Sequence, residues 1–497
     1  MGKIVGHHIS GKEWLGSSAR SQDIFDPGTG KISGKVLLGD ASAVDLAVNS
    51  SLAAFEDWGF APISKRARIM FAYRELLDKN ITDVARIISS EHGKTIADAI
   101  GEVRRGIEVV EFACGIGQLQ KAQYSEGVSR NVDTFSMRQP LGVVAGITPF
   151  NFPAMVPMWM FPVAIATGNA FVLKPSERDP SAAIFLAELF YEAGLPEGVL
   201  NVVQGDKEVV DAILDHKNIK AVSFVGSTPI ASYIYERAAS KKKRVQALGG
   251  AKNHMVVLPD ADLDAAADAV VSAAFGSAGE RCMAISVLVI VGDDVADELN
   301  SLIISRVESL RVGYGSDETT DMGPLISLEH KHKVVSFIDS AENEGAKILV
   351  DGRLHDCMSS NGFYLGPTLI DKVSTEMAVY KNEIFGPVLS VVRAHDSSEA
   401  LQIVNSNPFA NGAAIFTRSG VAARRFQSLV NAGMVGINVP IPVPVSYYSF
   451  GGSKDSLFGD THIHGEEGVK FYTRGKVVTQ RWADELIAGV DFGFPQN

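Results

Sequence analysis

Short apolar segments alternate with helical patterns between residues 141 and 248. The segments are 142–147, 170–174, 199–203, 221–225 and 244–248, and most of their residues are apolar rather than alternating with polar ones. Strands buried on both faces of a parallel sheet have this composition. The repeated strand–helix units therefore predict a doubly wound parallel sheet, and such sheets bind ligands at the carboxyl ends of their strands.

A second strand–helix pattern follows residue 249, and a chain of 497 residues is too long for a single core. Its predicted strands are 254–258, 286–291, 388–393, 413–416 and 433–438. Helical patterns occupy 43–58, 64–78, 84–92, 102–120, 262–275, 296–310, 329–344, 397–405 and 421–431. Residues 20–40 read as two strands, and the runs 129–138 and 471–480 alternate as exposed strands do. The prediction is an α/β protein of two or three domains.

The composition argues against several classes of partner. The formal net charge is −12 with no broad cationic field, so we expect no nucleic-acid partner. Residues 141–173 are uncharged over a length that could span a bilayer, but they contain four prolines. We interpret them as a buried strand, loop and helix, and expect no membrane partner. The N-terminus has no targeting pattern, so we expect a cytoplasmic protein.

The cysteine and histidine patterns favour neither disulfides nor a metal site. Cys114, Cys282 and Cys357 are odd in number and widely spaced, which indicates a reducing compartment. His462 and His464 have no evident cysteine or carboxylate partner in the sequence, so we expect no metal.

Cys282 follows an unusual run of small residues, Gly276-Ser-Ala-Gly279, between a helical pattern and a strand. Small residues permit close backbone approach and leave a thiol open at such a connection. The adjacent Arg281 is expected to favour the thiolate, which makes Cys282 a candidate nucleophile. A buried structural cysteine is the alternative, because free cysteines are commonly buried.

Three connections at the carboxyl ends of the first set of strands carry polar residues. Gly226 and Ser227 precede a helix whose free N–H groups can bind a phosphate. Lys174 and Glu177 can bind two ribose hydroxyls, and Glu177 would disfavour the 2′-phosphate of NADP. Asn151 is a candidate amide donor. The alternatives are a turn without a ligand, a surface ion pair and a turn-forming asparagine.

Six motifs occur in order along the chain. They are Thr148-Pro-Phe-Asn-Phe-Pro153, Lys174-Pro-Ser-Glu177, Phe224-Val-Gly-Ser-Thr228, Leu248-Gly-Gly250, Gly279-Glu-Arg-Cys282 and Glu383-Ile-Phe-Gly-Pro-Val388. Together they resemble the aldehyde dehydrogenase superfamily. The resemblance implies that Cys282 is the nucleophile and that Asn151, with the Cys282 backbone N–H, forms an oxyanion hole. It implies NAD as the cofactor, bound by Thr148, Phe150, Lys174, Glu177, Arg178, Ser227, Gly249 and Glu383, the last on the nicotinamide ribose.

The resemblance also implies the arrangement of domains. We expect an NAD-binding domain with the doubly wound sheet at 1–119 and 141–248, and a second α/β domain, the catalytic one, at 249–460. A β oligomerisation arm is expected at 120–140 and 461–497. The expected assembly is a homotetramer.

The chain departs from the hydrolytic members of this superfamily at Ala247. Those members usually carry Glu-Leu-Gly-Gly-Lys here, and the glutamate activates the water that cleaves the thioester. This chain reads Ala247-Leu-Gly-Gly-Ala-Lys252, without the carboxylate and with one more residue. Loss of a general base slows a step by about 10²–10⁴-fold. We therefore expect coenzyme A, a better nucleophile than water, to release the acyl group.

Three local sequences resemble the CoA-acylating methylmalonate-semialdehyde dehydrogenases: 247–254, 279–283 and 440–446. The resemblance implies that Arg281 and Arg105 hold a substrate carboxylate, for which a guanidinium is suited, with Arg104 as the alternative to Arg105. It implies oxidation of methylmalonate or malonate semialdehyde to a thioester, loss of CO₂, and release of propanoyl-CoA or acetyl-CoA. Valine and inositol breakdown are compatible pathways.

Three other functions remain open from the sequence. A hydrolytic NAD-dependent aldehyde dehydrogenase would use another base and would form NADH without CoA. A cofactor-free cysteine acyltransferase or hydrolase would not be stabilised by NAD. A non-catalytic protein with the same fold would need no reactive thiol at Cys282.

Overall fold

Helices cover the faces of two large sheets in the computed structural model, which describes residues 3–16, 18–129 and 131–482. The described helices are α1 (Ala41–Trp58), α2 (Ile63–Lys79), α3 (Ile81–His92), α4 (Ile96–Cys114), α5 (Ile116–Leu119), α6 (Met155–Ala166), α7 (Ser181–Glu192), α8 (Lys207–Asp215), α9 (Thr228–Ser240), α10 (Leu263–Phe275), α11 (Asp293–Glu308), α12 (Leu328–Asn343), α13 (Ala378–Lys381), α14 (Ser397–Ser406), α15 (Gly420–Leu429) and α16 (Gly465–Phe471). Short 3₁₀ helices are Gly276–Gly279, Gly352–Leu354 and Asp356–Ser359. The helix predicted at 102–120 begins earlier, at Ile96, and is interrupted at Gly115.

The strands follow the predicted order. They are β1 (Lys3–Val5), β2 (His7–Ile9), β3 (Lys12–Trp14), β4 (Ser21–Asp26), β5 (Lys31–Leu37), β6 (Tyr124–Ser129), β7 (Val132–Pro140), β8 (Val143–Ile147), β9 (Ala170–Lys174), β10 (Leu200–Val202), β11 (Ile219–Val225), β12 (Arg244–Leu248), β13 (Asn253–Val257), β14 (Ile285–Val291), β15 (Lys347–Val350), β16 (Thr368–Asp371), β17 (Val388–Ala394), β18 (Phe409–Ala410), β19 (Gly412–Phe416), β20 (Met434–Ile437), β21 (Ser453–Lys454), β22 (Leu457–Phe458) and β23 (Thr473–Arg481). The prediction missed β1, β2, β3, β15, β16, β18, β21 and β22, whose two to four residues are too few for a clear period.

The first sheet has the strand order β22-β12-β11-β8-β9-β10-β2-β3. The strands from β12 to β10 are parallel to their neighbours, and β22 and β2 add at the two edges in antiparallel fashion. Apolar clusters lie on both faces of this sheet, so the predicted doubly wound parallel sheet is confirmed. Since β11, β8 and β9 are neighbours, the loops after Val225, Ile147 and Lys174 meet at one edge.

The uncharged segment 141–173 forms β8, α6 and β9 inside this core. Every residue of α6 is buried, including Pro162, which confirms the interpretation of the segment as a buried strand, loop and helix. Within the described residues, no helix combines the length and the apolar character that crossing a membrane requires.

The second sheet has the order β15-β16-β17-β14-β13-β19-β20 and is parallel except for the β15–β16 pair. The chain passes to it from the first sheet through residues 249–252, between β12 and β13. Asn253 at the start of β13 donates from Nδ2 to the Cys282 carbonyl at 2.9 Å. Cys282 therefore lies at the amino edge of the second sheet, close to the connection between the two.

A three-stranded antiparallel sheet of order β23-β7-β6 stands apart from both large sheets. The alternating run predicted at 471–480 forms most of β23 and pairs with β7 along its whole length. The domain boundaries stay a prediction. Within the predicted domains, residues 1, 2, 17, 130 and 483–497 lie outside the described part of the chain.

Candidate active site

A left-handed turn precedes Cys282. The 3₁₀ turn Gly276–Gly279 follows α10, and its last three residues have φ values of 52°, 53° and 72°. Such values cost a non-glycine residue about 1–3 kcal/mol. A Cβ on Gly279 would overlap the carbonyl oxygen of Gly386, so only glycine fits there. The small residues noted in the sequence thus form a tight reversal that leads the chain to Cys282.

Cys282 is half-buried between two cavities. The arginine cavity has a volume of about 460 Å³, and its lining includes Arg104, Arg105, Arg281, Phe152, Met155, Trp159 and Val443. The thiol cleft has a volume of about 20 Å³, enough for one water molecule, and its lining includes Ala251, Asn253, Glu383 and Phe385. Cys282 therefore lines both the arginine cavity and a cleft that contains the Glu383 carboxylate.

The Cys282 thiol keeps its proton at neutral pH. Burial raises its pKa to about 12, and the Glu383 carboxylate contributes to that shift. Arg281 lowers the pKa but is the smallest of the contributions, and its Nη2 lies 2.5 Å from Asp98 Oδ1. Arg281 thus favours the thiolate, as the sequence predicts, but burial and Glu383 outweigh it. Deprotonation needs a proton acceptor or an additional positive charge beside the sulfur.

Asn151 is held in a buried hydrogen-bond network next to this turn. Its Nδ2 donates to the Glu280 backbone carbonyl at 3.1 Å, and the backbone carbonyl of Asn151 accepts from Lys94 Nζ at 2.6 Å. Lys94 Nζ lies 2.8 Å from Glu102 Oε2, and Glu102 Oε1 accepts two backbone N–H groups at the start of α6. An amide nitrogen carries two N–H groups, and the second makes no hydrogen bond among the described residues.

Two residues of this network, Lys94 and Glu102, are missing from the sequence-based prediction. Both side chains are fully buried. Glu102 lies on the apolar stripe of α4, three residues after Ala99 and four before Gly106. A charged residue on a buried stripe indicates a paired partner, and that signal could have identified Glu102.

The loops after β8, β9 and β11 form the sheet-end cavity, with a volume of about 670 Å³. Of the predicted cofactor residues, it brings together Thr148, Phe150, Lys174, Glu177, Arg178 and Ser227. Gly226 and Ser227 also bring the start of α9 to this cavity. The N-terminus of a helix favours an anion such as a phosphate.

Glu177 is an anion within the sheet-end cavity. Burial opposes its ionisation, but Lys174, a backbone N–H and Arg178 together outweigh burial and lower the pKa of the carboxyl. The Lys174 Nζ lies 2.7 Å from Glu177 Oε2. The surface-pair alternative is right about the pair, but this pair lines a cavity rather than an open surface. A carboxylate held in this way can accept hydrogen bonds from hydroxyl groups.

The other two predicted cofactor residues lie elsewhere. The Gly249 N–H donates to the Ser456 carbonyl at 3.0 Å, and Gly249 does not line the sheet-end cavity. Glu383 lines the thiol cleft, and its Oε1 accepts from the Ala251 N–H at 2.9 Å. Burial raises the pKa of Glu383 to about 7. Glu383 thus lies at the thiol cleft, next to Cys282, rather than in the sheet-end cavity.

The predicted carboxylate-binding arginines share the arginine cavity, and two of them are anchored. Arg281 contacts Asp98 as described above. Arg105 Nη1 lies 2.8 Å from Glu108 Oε2, and its Nη2 donates to the Val443 carbonyl at 3.1 Å. Arg104 is exposed, whereas Arg105 is half-buried. Each anchored guanidinium keeps further N–H groups for a ligand, because arginine carries five.

The chain matches known proteins over nearly its whole length. The family model described as "Aldehyde dehydrogenase family" matches residues 14–478. The chain belongs to this family. A malonate-semialdehyde dehydrogenase of Pseudomonas aeruginosa is 54% identical over 491 residues, which are 98% of this chain and 99% of the relative.

Two solved structures of aldehyde dehydrogenases resemble the fold closely. One is a Sinorhizobium meliloti protein assigned as a methylmalonate-semialdehyde dehydrogenase, in complex with NAD, with a TM-score of 0.97 and 53% identity over 98% of this chain and 99% of the other. The other is a methylmalonate-semialdehyde dehydrogenase from Oceanimonas doudoroffii, with a TM-score of 0.96 and 52% identity over 98% and 99%. The predicted family, fold class and oxidoreductase class are confirmed.

In this aldehyde dehydrogenase the position of the usual glutamate is a buried alanine. Ala247 is fully buried in β12, where it pairs with Phe224 and Phe458. Glu383 is the carboxylate that most affects the pKa of the thiol. Among the described residues, no hydrogen bond joins a carboxylate to the Cys282 sulfur. The carboxylate with the largest effect on the pKa of the thiol therefore comes from a segment other than the one that contains Ala247.

Proposed function

We propose that this chain is an NAD-dependent, CoA-acylating dehydrogenase of malonate semialdehyde and methylmalonate semialdehyde. Its products are acetyl-CoA or propanoyl-CoA, and CO₂. The observation that carries the proposal is the cavity at Cys282, where three arginines, Arg104, Arg105 and Arg281, and Lys94 outnumber the three carboxylates of the lining. Such a cavity suits an aldehyde that carries its own carboxylate. Relatives at 54% and 52% identity bear the names malonate- and methylmalonate-semialdehyde dehydrogenase.

Arg281 and Arg105 are the proposed carboxylate receptors. Both are anchored by an acid, so they present fixed rather than mobile N–H groups, and a guanidinium binds a carboxylate through two parallel hydrogen bonds. The apolar side chains of Phe152, Met155 and Trp159 line the same cavity. They exclude water and strengthen the attraction between the carboxylate and the arginines.

The sheet-end cavity is the proposed NAD site. Its volume of about 670 Å³, the Lys174–Glu177 pair and the start of α9 fit the ribose hydroxyls and the phosphates of a dinucleotide. Glu383, at the thiol cleft, would hold the nicotinamide ribose near Cys282. When bound, NAD supplies the acceptor for the hydride that leaves the substrate carbon. The cavity itself orients the dinucleotide and excludes solvent.

The chemistry begins with Cys282. Its sulfur attacks the aldehyde carbon, and the thiol proton passes to Glu383 across the thiol cleft, which has room for one bridging water. The second N–H of Asn151 Nδ2 and the Cys282 backbone N–H stabilise the oxyanion. Departure of the hydride leaves an acyl thioester on Cys282.

The acyl group then loses CO₂. Its carboxylate is β to the thioester carbonyl, so the carbon–carbon bond breaks and its electron pair moves to the thioester oxygen. Asn151 and the Cys282 N–H stabilise this enolate as they stabilised the first oxyanion. Protonation of the carbon yields an acetyl or propanoyl thioester.

Release of the acyl group is the step that Ala247 affects. With no carboxylate at that position, water is poorly activated, whereas the thiol of coenzyme A is a strong nucleophile once ionised. Transfer to coenzyme A returns Cys282 to its starting state. The second candidate function is hydrolysis to a carboxylic acid, which Glu383 supports because its pKa of about 7 suits a general base.

A substrate panel with and without coenzyme A tests the proposal. We expect NADH formation from malonate semialdehyde to depend on coenzyme A, with one CO₂ and one acyl-CoA released per NADH. Propanal, which lacks the carboxylate, is the matched substrate and should react with a higher KM. Equal NADH formation without coenzyme A, with a free acid as product, would establish the hydrolytic alternative.

The domain assignment and assembly belong to the same proposal. The first sheet would belong to the NAD-binding domain, residues 1–119 and 141–248. Residues 249–460, which include the second sheet, would form the catalytic domain. The β23-β7-β6 sheet would form the arm of a homotetramer in the cytoplasm. Light scattering of the purified protein, which gives the mass of the assembly directly, tests the tetramer.

A further inference from the structure

One carboxylate, that of Asp98, contacts the nucleophile turn at two points. Its Oδ2 accepts the Ser277 N–H at 3.1 Å, and its Oδ1 lies 2.5 Å from Arg281 Nη2. Asp98 belongs to the first turn of α4, 179 and 183 residues before these partners. A single side chain from a distant helix therefore joins the start of the left-handed turn to the residue next to Cys282.

A bare glycine lies under the guanidinium that Asp98 holds. A Cβ on Gly276 would come within 2.5 Å of Arg281 Nη1 and 2.6 Å of its Cζ. The guanidinium thus packs on the backbone of Gly276, and a side chain at this position would displace it. Asp98 fixes one edge of the guanidinium and Gly276 one face. The remaining N–H groups belong to a side chain that lines the arginine cavity.

The contact between Asp98 and Ser277 also bears on the conformation of the left-handed turn. Ser277 and Ala278 hold φ values of 52° and 53°, and such a conformation persists only where surrounding contacts enforce it. The hydrogen bond from the Ser277 N–H to Asp98 is such a contact. Loss of the carboxylate would relax the turn and release Arg281 together, because both depend on the same group.

We propose that Asp98 is a positioning residue that fixes Arg281 and the turn before Cys282, and thereby sets the preference of the arginine cavity for anionic over neutral electrophiles. The inference rests on the proposed role of Arg281 as a carboxylate receptor. The opposite role is also physically possible: Asp98 would then compete with the substrate carboxylate for Arg281. The two roles predict changes of opposite sign when Asp98 is replaced.

Alkylation of Cys282 distinguishes them without aldehyde, NAD or coenzyme A. Iodoacetate and iodoacetamide differ in charge and little in size, so the ratio of their rates reports the cation near the sulfur. A general loosening of the site changes the rates of both reagents and leaves the ratio of the two rates unchanged. Displacement of Arg281 changes the ratio, because only iodoacetate is charged. Mass spectrometry of the peptide that contains Cys282 separates its labelling from that of Cys114 and Cys357.

We expect the iodoacetate-to-iodoacetamide ratio of Arg281→Gln to fall roughly tenfold below that of the native protein. The ratio of Asp98→Asn should fall most of the way to the same value, because the single side-chain oxygen of asparagine cannot accept from both the Ser277 N–H and Arg281. Gly276→Ala should lower the ratio as well, by displacing the guanidinium through its face. Asp268→Asn is the control: it removes another Asp–Arg pair, with Arg306, at an exposed position on α10.

A ratio that rises in Asp98→Asn would overturn the proposal in favour of competition. Native ratios in both Asp98→Asn and Gly276→Ala would overturn it outright, and Gly276→Ala keeps the test valid if Asp98→Asn does not fold. The proposed function fails in a different way, through NADH formation that ignores coenzyme A. In that case the alkylation ratios still decide whether Asp98 positions Arg281.

Discussion

The sheet-end cavity and the arginine cavity are built from different kinds of contact. The sheet-end cavity takes its residues from loops directly after β8, β9 and β11, which are neighbours in one sheet. The arginine cavity combines α4, the start of α6, the turn before β14 and the segment around Val443. Most of its charges stand in pairs, such as Arg281 with Asp98 and Lys94 with Glu102.

This difference has a physical origin. At the edge of a parallel sheet, a position after a strand is enough to bring a residue to the cavity. Between packed helices a charge must also find a counter-charge, because a buried unpaired ion is costly. Substitutions in the sheet-end cavity should therefore act locally. Substitutions in the arginine cavity should also change the residues held by the altered pair.

The largest expected effect comes from removing the Cys282 sulfur, which should impair the reaction at the arginine cavity and leave the sheet-end cavity unchanged. Cys282→Ala should lower the rate of NADH formation on the order of 10⁴-fold or more, because no covalent intermediate can form. The sheet-end cavity does not contain Cys282, so the rise in melting temperature with NAD should match that of the native protein. Rate measurement and thermal melting check the two halves. NADH formation near the native rate would refute the role of Cys282.

The next largest effect concerns the side-chain amide of Asn151, which lies beside the left-handed turn before Cys282. Asn151→Ala should lower kcat by about 10²–10³-fold, since it removes one donor to the oxyanion. Labelling of Cys282 by iodoacetamide involves no oxyanion and should stay within a few-fold of the native rate. Single-turnover NADH formation checks the first expectation, and mass spectrometry checks the second. A loss confined to alkylation would instead mean that Asn151 only supports the turn.

The two cavities also differ in how far the sequence could predict them. Lys174, Glu177 and Ser227 follow strands that the apolar pattern identifies, so their meeting at one edge was predictable. The contacts of the arginine cavity join residues far apart in the chain, 183 positions for Asp98 with Arg281 and 338 for Arg105 with Val443. No local pattern encodes such pairs. The resemblance supplied Arg281 and Arg105, but not Asp98, Lys94 or the raised pKa of the thiol.

A smaller effect concerns the carboxylate at the thiol cleft. Glu383→Gln should lower the pKa of Cys282 and accelerate its alkylation several-fold at pH 8, because it removes a negative charge that opposes the thiolate. The pKa of Glu383 is about 7, so native Glu383 becomes an anion as the pH rises through that value. The ratio of variant to native rate should grow above pH 7 and approach one below it.

Measurement of iodoacetamide labelling from pH 6 to 9 checks this sign. Both proteins should label faster as the pH rises, since the pKa of the thiol lies near 12 in the native protein. Slower labelling of the variant throughout would mean that the loss of Glu383 as the proton acceptor outweighs the loss of its negative charge. Glu376→Gln, which removes an exposed partner of Lys381 on the surface, serves as the matched control.

The smallest effect tests whether the sheet-end cavity acts locally. Glu177→Gln should raise the ratio of kcat/KM for NADP to that for NAD about twofold, because it removes a carboxylate that repels a 2′-phosphate and frees Lys174 to meet it. Preference between malonate semialdehyde and propanal should not change, since the arginine cavity does not include Glu177. Glu192→Gln, at an exposed position near the end of α7, controls for loss of charge. A shift in aldehyde preference would mean that the two cavities communicate through the protein, and that Lys174 and Glu177 do more than hold a dinucleotide.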